Sequence, residues 1–205
     1  MRSVLFTVTH AVVALLVLFS GCVSLERSYP DQHSFVLEVK RAGNPSSSSG
    51  NGVLEVADVE ISPRFTGKSF VYRMSEARYE SDFYNQFLVA PAVLITEEIL
   101  KGLAQSHLFR HVIGASHQLQ PTHVLGATVS GLYGDFRNGS APKAVLEMEF
   151  FLSKETAGRS QIVMEKRYAK SVDLSRRSPE ALVQGWNRAL EEILAALVTD
   201  LKSAH

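Results

Sequence analysis

The chain has 205 residues with 21 lysines and arginines against 21 aspartates and glutamates, and 45% of its residues are hydrophobic. A net charge of zero, without a basic stretch, gives no support to nucleic-acid binding. A single cysteine excludes a disulfide within the chain, and the length corresponds to one folded domain.

The first 21 residues have the pattern of a secretory signal peptide. Arg2 provides a basic start, residues 11–19 are all apolar, and Ser20 and Gly21 form a small-residue exit. The apolar run is too short to span a bilayer, which needs about 20 such residues. We therefore predict that residues 1–21 are a lipoprotein signal peptide and not part of the fold.

A lipidated cysteine is predicted directly after this segment. The sequence "LFSGC" (18–22) resembles a bacterial lipobox, with Phe19 where leucine is usual. A buried thiol or half of a disulfide is the alternative for Cys22, but the chain has no second cysteine. We expect Cys22 to carry a diacylglycerol and a further acyl chain such as palmitate, because several chains anchor stably where one binds marginally. Residues 22–33 would then be the lipidated cysteine and a polar tether, followed by a domain over 34–205.

The first half of this domain is predicted to contain short strands. Alternating polarity indicates one strand over 35–39 and another over 53–61, separated by a loop over 42–52 rich in Gly and Ser. Segments 69–74 and 77–81 are predicted to pair as a hairpin. Pro91 then begins a helix whose apolar stripe opposes a wet face that includes Glu97 and Glu98.

The second half predicts more strands and a last helix. A short strand is expected at 108–113, followed by longer strands at 122–133, 144–152 and 161–169, of which the last two form a hairpin. Ser178 caps a final helix that has Pro179 at its first position. The predicted fold is α+β, a two-layer sandwich with a mostly antiparallel sheet and two amphipathic helices on one face.

Catalytic and metal motifs are weak. "TGKSF" (66–70) has the end of a phosphate loop, but Ser62 stands where the first glycine is needed, and a strand is expected to follow. The histidines between 107 and 123 do not have the spacing of a metal site. No nucleophile elbow is present, so the sequence predicts neither an enzyme, a metal nor a cofactor.

An aromatic segment, residues 78–94, is harder to assign. Its aromatics either fasten the hairpin to the first helix or form an apolar patch for a lipid tail or a partner protein. The candidate lipid- or partner-contact residues are Tyr79, Phe83, Tyr84, Phe87 and Pro91.

The domain resembles the ABC-type transport auxiliary lipoprotein family, which includes PqiC-like intermembrane lipid-transport lipoproteins. The resemblance is carried by residues 54–112, by "THVLGATVSGLYGDF" and by "WNRALEEILAALVTDL", and within it by the triplet Val71-Tyr72-Arg73, a following tyrosine, Phe87 and Pro91. Phe87 departs from the tryptophan usual at its place.

This resemblance implies a periplasm-facing, non-enzymatic accessory of an MCE-type lipid transport system. Its expected partners are an MCE-domain protein, the ABC permease and ATPase subunits, the membrane, and phospholipid if it binds lipid itself. Val23 follows Cys22, where an aspartate would favour retention in the inner membrane of enteric bacteria. The inner leaflet of the outer membrane is the expected location. The alternatives are a lipid-binding carrier, a cell-wall synthase activator or an assembly partner of an outer-membrane protein.

Overall fold

The computed structural model describes residues 31–40, 50–156 and 158–204. The predicted signal peptide, Cys22, the tether up to residue 30 and residues 42–49 of the predicted loop lie outside these ranges. Within these described ranges, the unit Gln32–His205 contains nine strands, one short 3₁₀ turn and two helices. The strands are β1 (His33–Phe35), β2 (Val53–Val56), β3 (Glu60–Ile61), β4 (Ser69–Arg73), β5 (Tyr79–Phe87), β6 (His111–Gly114), β7 (His123–Asp135), β8 (Lys143–Thr156) and β9 (Arg159–Asp173). The helices are α1 (Pro91–Ser106) and α2 (Pro179–Ala204), and the 3₁₀ turn is Pro63–Phe65.

Strand β7 organises the sheet. One of its edges pairs antiparallel with β8 along its whole length, from His123↔Lys154 to Asp135↔Lys143. Its other edge is covered in succession by three short parallel strands, β2, β3 and β4. Strand β6 extends the sheet beyond β2, β5 and β1 extend it beyond β4, and β9 extends it beyond β8. The result is one curled sheet of nine strands within the described residues.

The sheet is mixed, so the prediction of a mostly antiparallel sheet is wrong. In the described residues the pairs β1–β5, β2–β6, β2–β7, β3–β7 and β4–β7 are parallel, whereas β4–β5, β7–β8 and β8–β9 are antiparallel. Parallel partners must be joined by a crossover, and here α1 and β6 lie in the chain between β2 and β7. Local alternation identifies a strand but not a partner that lies some 70 residues away.

The predicted strand 53–61 is divided into β2 and β3. Between them the N–H of Ala57 still donates to the carbonyl of Leu125 on β7 (3.0 Å). The N–H of Val59 turns away and donates to Thr96 Oγ1 on α1 (3.1 Å). The Thr96 hydroxyl on α1 therefore takes the place of a strand partner for Val59, whose side chain stays buried between β2 and β3.

The predicted strand 35–39 is also replaced in part by a contact with α1. Only residues 33–35 form a strand, yet Leu37 and Val39 are buried as their alternation predicts. The N–H of Val39 donates to Glu98 Oε2 at 2.7 Å. Glu98 is 8% exposed, so its placement on the wet face of the helix is wrong. A carboxylate that accepts a buried backbone N–H is satisfied inside the protein.

Helix α2 forms the centre of the core. Its predicted stripe is fully buried and consists of Leu182, Trp186, Ala189, Ile193 and Leu197. The helix packs on β8 and β9, and Trp186 Nε1 donates to the carbonyl of Val145 on β8 (3.2 Å). The Trp186 ring also meets Phe70 edge-on at 5.1 Å between centroids. The predicted cap is confirmed, since Ser178 Oγ accepts the N–H of Ala181 (3.2 Å). Within the described residues, neither helix combines the length and apolarity needed to cross a bilayer.

Candidate functional site

Strand β5 contains a large bulge where it pairs with β4. Ser69 lies opposite Gln86 and Val71 lies opposite Ser81, so Phe70 alone faces the four residues 82–85. We call the segment Asp82–Asn85 the β5 bulge. Bulges of this kind re-aim side chains out of the plane of a sheet.

Asp82 holds the bulge in shape. Its Oδ1 accepts the N–H of Tyr84 (2.8 Å) and the N–H of Asn85 (3.1 Å). Its Oδ2 accepts Asn85 Nδ2 (2.8 Å) and the hydroxyl of Tyr72 on β4 (2.5 Å). An aspartate that bonds the backbone two and three residues on is a standard way to close a turn. One carboxylate therefore fixes both the turn and its attachment to the neighbouring strand.

The same contacts change the acidity of both partners. Partial burial acts to raise the pKa of Asp82, but hydrogen bonds from the Tyr72 hydroxyl, the Asn85 amide and the two backbone N–H groups together bring that pKa below its usual value. Burial, followed by the hydrogen bond and the charge of Asp82, raises the pKa of the Tyr72 hydroxyl far above its usual range. The stable form of the pair is a neutral tyrosine donating to an ionised aspartate.

The bulge presents two aromatic side chains to solvent. Phe83 is 63% exposed and Tyr84 is 52% exposed, and their rings meet edge-on at 5.4 Å between centroids. The carbonyl of Phe83 accepts Gln32 Nε2 (3.0 Å), which ties the bulge to the residue just before β1. Exposed apolar side chains in a cluster mark interaction surfaces more often than scattered ones do.

Other exposed apolar side chains lie along the same edge of the sheet. The N–H of Leu88 donates to the carbonyl of Phe35 (2.8 Å), which brings Leu88 beside the end of β1. The described residues have nine large exposed hydrophobic side chains, and six of them belong to the β1–β5 edge and the start of α1, so they are concentrated there. We call these six the edge patch: Val36, Phe83, Tyr84, Leu88, Val89 and Val93.

The five aromatic and proline residues proposed from the sequence occupy different environments. Phe83 and Tyr84 are at the surface, as described. Tyr79 is half-buried, with its ring edge-on to Tyr133 at 5.7 Å. Phe87 is buried against Phe70, and Pro91 is buried at the first position of α1. The ends of the segment therefore fasten β5 and α1 to the core, while its middle is exposed. A role of the exposed residues in contacting a lipid or a partner stays a prediction.

We expect Asp82→Asn to destabilise the fold at neutral pH and much less in acid. The pKa of Asp82 is lowered in the folded state, so its ionised carboxylate adds to the stability of the fold at pH values above the unfolded-state pKa of about 3.9. This stabilisation is lost as the pH falls through the folded-state pKa. Loss of the charged acceptor should lower the free energy of unfolding by about 1 kcal/mol at pH 7.

Urea unfolding of both proteins at pH 7 and pH 3 measures this effect. Asp58→Asn, at an exposed carboxylate between β2 and β3, is the control and should change stability by less than about 0.5 kcal/mol. An Asp82→Asn effect of equal size at the two pH values would contradict the assignment.

A family model described as "ABC-type transport auxiliary lipoprotein component" matches residues 35–198. The chain belongs to this family. The match begins at the last residue of β1 and ends in α2, so it includes the β5 bulge and all strands from β2 to β9. Among curated proteins, none matches the chain.

Solved structures share the fold of this family member. Protein XCC0632 from Xanthomonas campestris, assigned to the family DUF330, is 15% identical with a TM-score of 0.71, over 81% of this chain and 92% of that one. An uncharacterized protein, also 15% identical, gives a TM-score of 0.65 over 83% and 99% of the two chains. The hypothetical protein CT253 from Chlamydia trachomatis is 11% identical, with a TM-score of 0.50 over 74% and 98%. At these identities the likeness concerns the fold alone.

Other chemistry-bearing residues of this family member are dispersed. His107 caps the C-terminus of α1, His111 lies on β6 and His117 is exposed in the next loop, while His123 is buried beside the ring of Phe109. In residues 31–40, 50–156 and 158–204 no three His, Cys, Asp or Glu side chains are grouped to hold a metal ion. Strand β4 follows Gly67, as predicted, and Lys68 Nζ donates to the carbonyl of Leu88 (3.0 Å).

Sequence reasoning missed Asp82 and Gln32, which shape the exposed site of this family member. A signal for Asp82 was present, since an aspartate followed three residues later by asparagine is typical of a side-chain-closed turn. Gln32 carried no signal, because its contact is with a carbonyl 51 residues away.

Proposed function

We propose that this chain is a non-enzymatic lipoprotein that docks an ABC-type lipid transport machinery of the MCE class at a membrane. The observation that carries the proposal is the family match over residues 35–198, whose description names an auxiliary component of ABC-type transport and a lipoprotein. An MCE-domain protein and the ABC permease and ATPase subunits are the proposed partners.

The membrane attachment is proposed to be the lipid on Cys22. The small residues Ser20 and Gly21 before it, and the apolar run before them, support cleavage and lipidation at this position. Val23 in place of an aspartate supports transfer to the inner leaflet of the outer membrane, with the folded domain facing the periplasm.

Two cavities among the described residues favour docking over carriage of a lipid, because charged and polar side chains line them. A cavity of about 510 Å³ is lined by Glu55, Gln120 and Glu155 among others, and one of about 550 Å³ by Lys154, Thr156, Arg159 and Gln161. An acyl chain needs a mostly apolar pocket with few polar groups. These cavities do not have that chemistry.

Co-purification tests the proposal. The wild-type protein, expressed with its natural signal and solubilised in detergent, should bring down the MCE and permease subunits, and labelled palmitate should enter it. Cys22→Ser is the matched control, which should lose the label and leave the membrane fraction. A labelled, membrane-bound protein that captures neither subunit would contradict the docking role, and bound phospholipid found by mass spectrometry would favour the carrier instead.

A further inference from the structure

We infer that the β5 bulge is a second membrane contact, at which Phe83 and Tyr84 enter the headgroup region of the bilayer that holds the lipid anchor. The inference rests on the proposed function for the anchor at Cys22 and adds an orientation to it. The domain would then lie with its β1–β5 edge against the membrane and not hang from a free tether.

The first argument is the position of the bulge beside the start of the folded unit. Gln32 is the first residue of that unit, and its side chain is hydrogen-bonded to the carbonyl of Phe83 (3.0 Å). Nine residues lie between Cys22 and Gln32, so the ten steps of the chain from one to the other span at most about 36 Å. The exposed aromatic pair therefore lies at the place on the fold where the chain leaves for its anchor.

The second argument is the effective concentration of the two candidate occupants. A surface close to a short covalent link to a bilayer experiences that bilayer at a high effective concentration, so a weak contact is occupied for much of the time. A protein partner at the same surface would have to displace it. This favours the bilayer as the occupant of the edge patch.

The third argument is the chemistry of the patch. Aromatic side chains with a polar end, such as Tyr84, are enriched at the membrane–water interface, and Phe83 adds apolar area beside it. Lys68 lies beside the edge patch, since its ammonium donates to the carbonyl of Leu88 (3.0 Å), and it supplies a cation for headgroup phosphates. Because Asp82 already fixes the bulge, little conformational freedom remains to be lost on insertion.

Spin labels on the full lipidated protein test the inference. Phe83→Cys is labelled with a nitroxide, and the protein is reconstituted in vesicles of phosphatidylethanolamine and phosphatidylglycerol. Ile162→Cys is the matched control, because Ile162 on β9 is 62% exposed, close to the 63% of Phe83. Tyr84→Cys is a second probe of the bulge in case Phe83→Cys folds poorly. Power-saturation spectra then compare collisions with oxygen, which enters lipid, and with a water-soluble nickel complex.

We expect the label at 83 or 84 to collide more often with oxygen than with the nickel complex. The label at 162 should show the opposite preference. Equal, water-like accessibility at both sites in vesicles that float with the protein would overturn the membrane contact while leaving the anchor intact. Shielding from both reagents with dipolar broadening would also overturn it, in favour of a second copy of the chain. A protein that fails to float, or takes up a second label at Cys22, would instead contradict the proposed anchor.

Discussion

Replacing Trp186 by alanine should lower the free energy of unfolding by about 3–5 kcal/mol, the range for removing a large aromatic side chain from a core. Trp186 is fully buried on α2, and its ring packs against Phe70 from β4 and Phe87 from β5. Its indole N–H is bonded to the carbonyl of Val145 on β8. One side chain thus joins the helix to three strands, and few neighbours can move to fill the space it leaves.

Urea unfolding followed by circular dichroism measures this loss without relying on tryptophan fluorescence. Trp186→Phe is the control, because it keeps an aromatic ring but removes the N–H donor, and it should cost about 1–2 kcal/mol. If alanine destabilises the protein no more than phenylalanine does, the packing role assigned to the ring is incorrect.

The sequence predicts the elements whose signals are local. Helices α1 and α2 begin at Pro91 and Pro179, because proline fits the first helical position and Ser178 supplies the cap. The antiparallel pairs β4–β5 and β8–β9 join neighbours in the chain, so alternation and turn residues are enough to predict them.

The parallel pairs could not be predicted in the same way. Strands β2, β3 and β4 lie beside β7 because their side chains pack in the shared core. Nothing in their own sequences specifies β7 as the pairing strand. The burial of Glu98 could not be predicted either, since a carboxylate among polar residues on one face of a helix is normally solvated. In the structure the buried carboxylate of Glu98 accepts the N–H of Val39, so that both polar groups are satisfied away from water.

The candidate site was predictable as a segment but not residue by residue. Composition alone singles out the aromatics between 79 and 87, yet regular alternation would give Phe83 and Phe87 the same face of β5. The bulge closed by Asp82 changes that parity, so that Phe83 is exposed while Phe87 is buried. Of the five residues proposed from the sequence, Phe83 and Tyr84 are therefore the two whose side chains are exposed.

Gly185→Val should destabilise the protein by about 3 kcal/mol, at the upper end for overpacking of a core. A Cβ atom at Gly185 would lie 2.6 Å from the Cβ of Ala144 on β8 and 2.7 Å from Leu174 Cδ2. These distances are too short for carbon atoms in contact, so α2 would have to move away from β8 and take the neighbouring Trp186 with it. Gln184→Val, at the exposed position before it, is the control. It should lower stability by roughly 0.5 kcal/mol, the difference in helix propensity between the two residues.

Gly185→Ala separates close approach from helix propensity by the sign of its effect. In a helix interior that replacement normally stabilises by about 1 kcal/mol, whereas a clash with Ala144 predicts destabilisation. Removing the opposing methyl with Ala144→Gly should restore part of the loss, and a double-mutant cycle in urea measures this coupling. Stabilisation by Gly185→Ala, or additive effects of the two changes, would mean that the helix and strand can separate freely at this point. Coupling would mean that the close approach of Gly185 to Ala144 fixes the distance between α2 and β8 at this point.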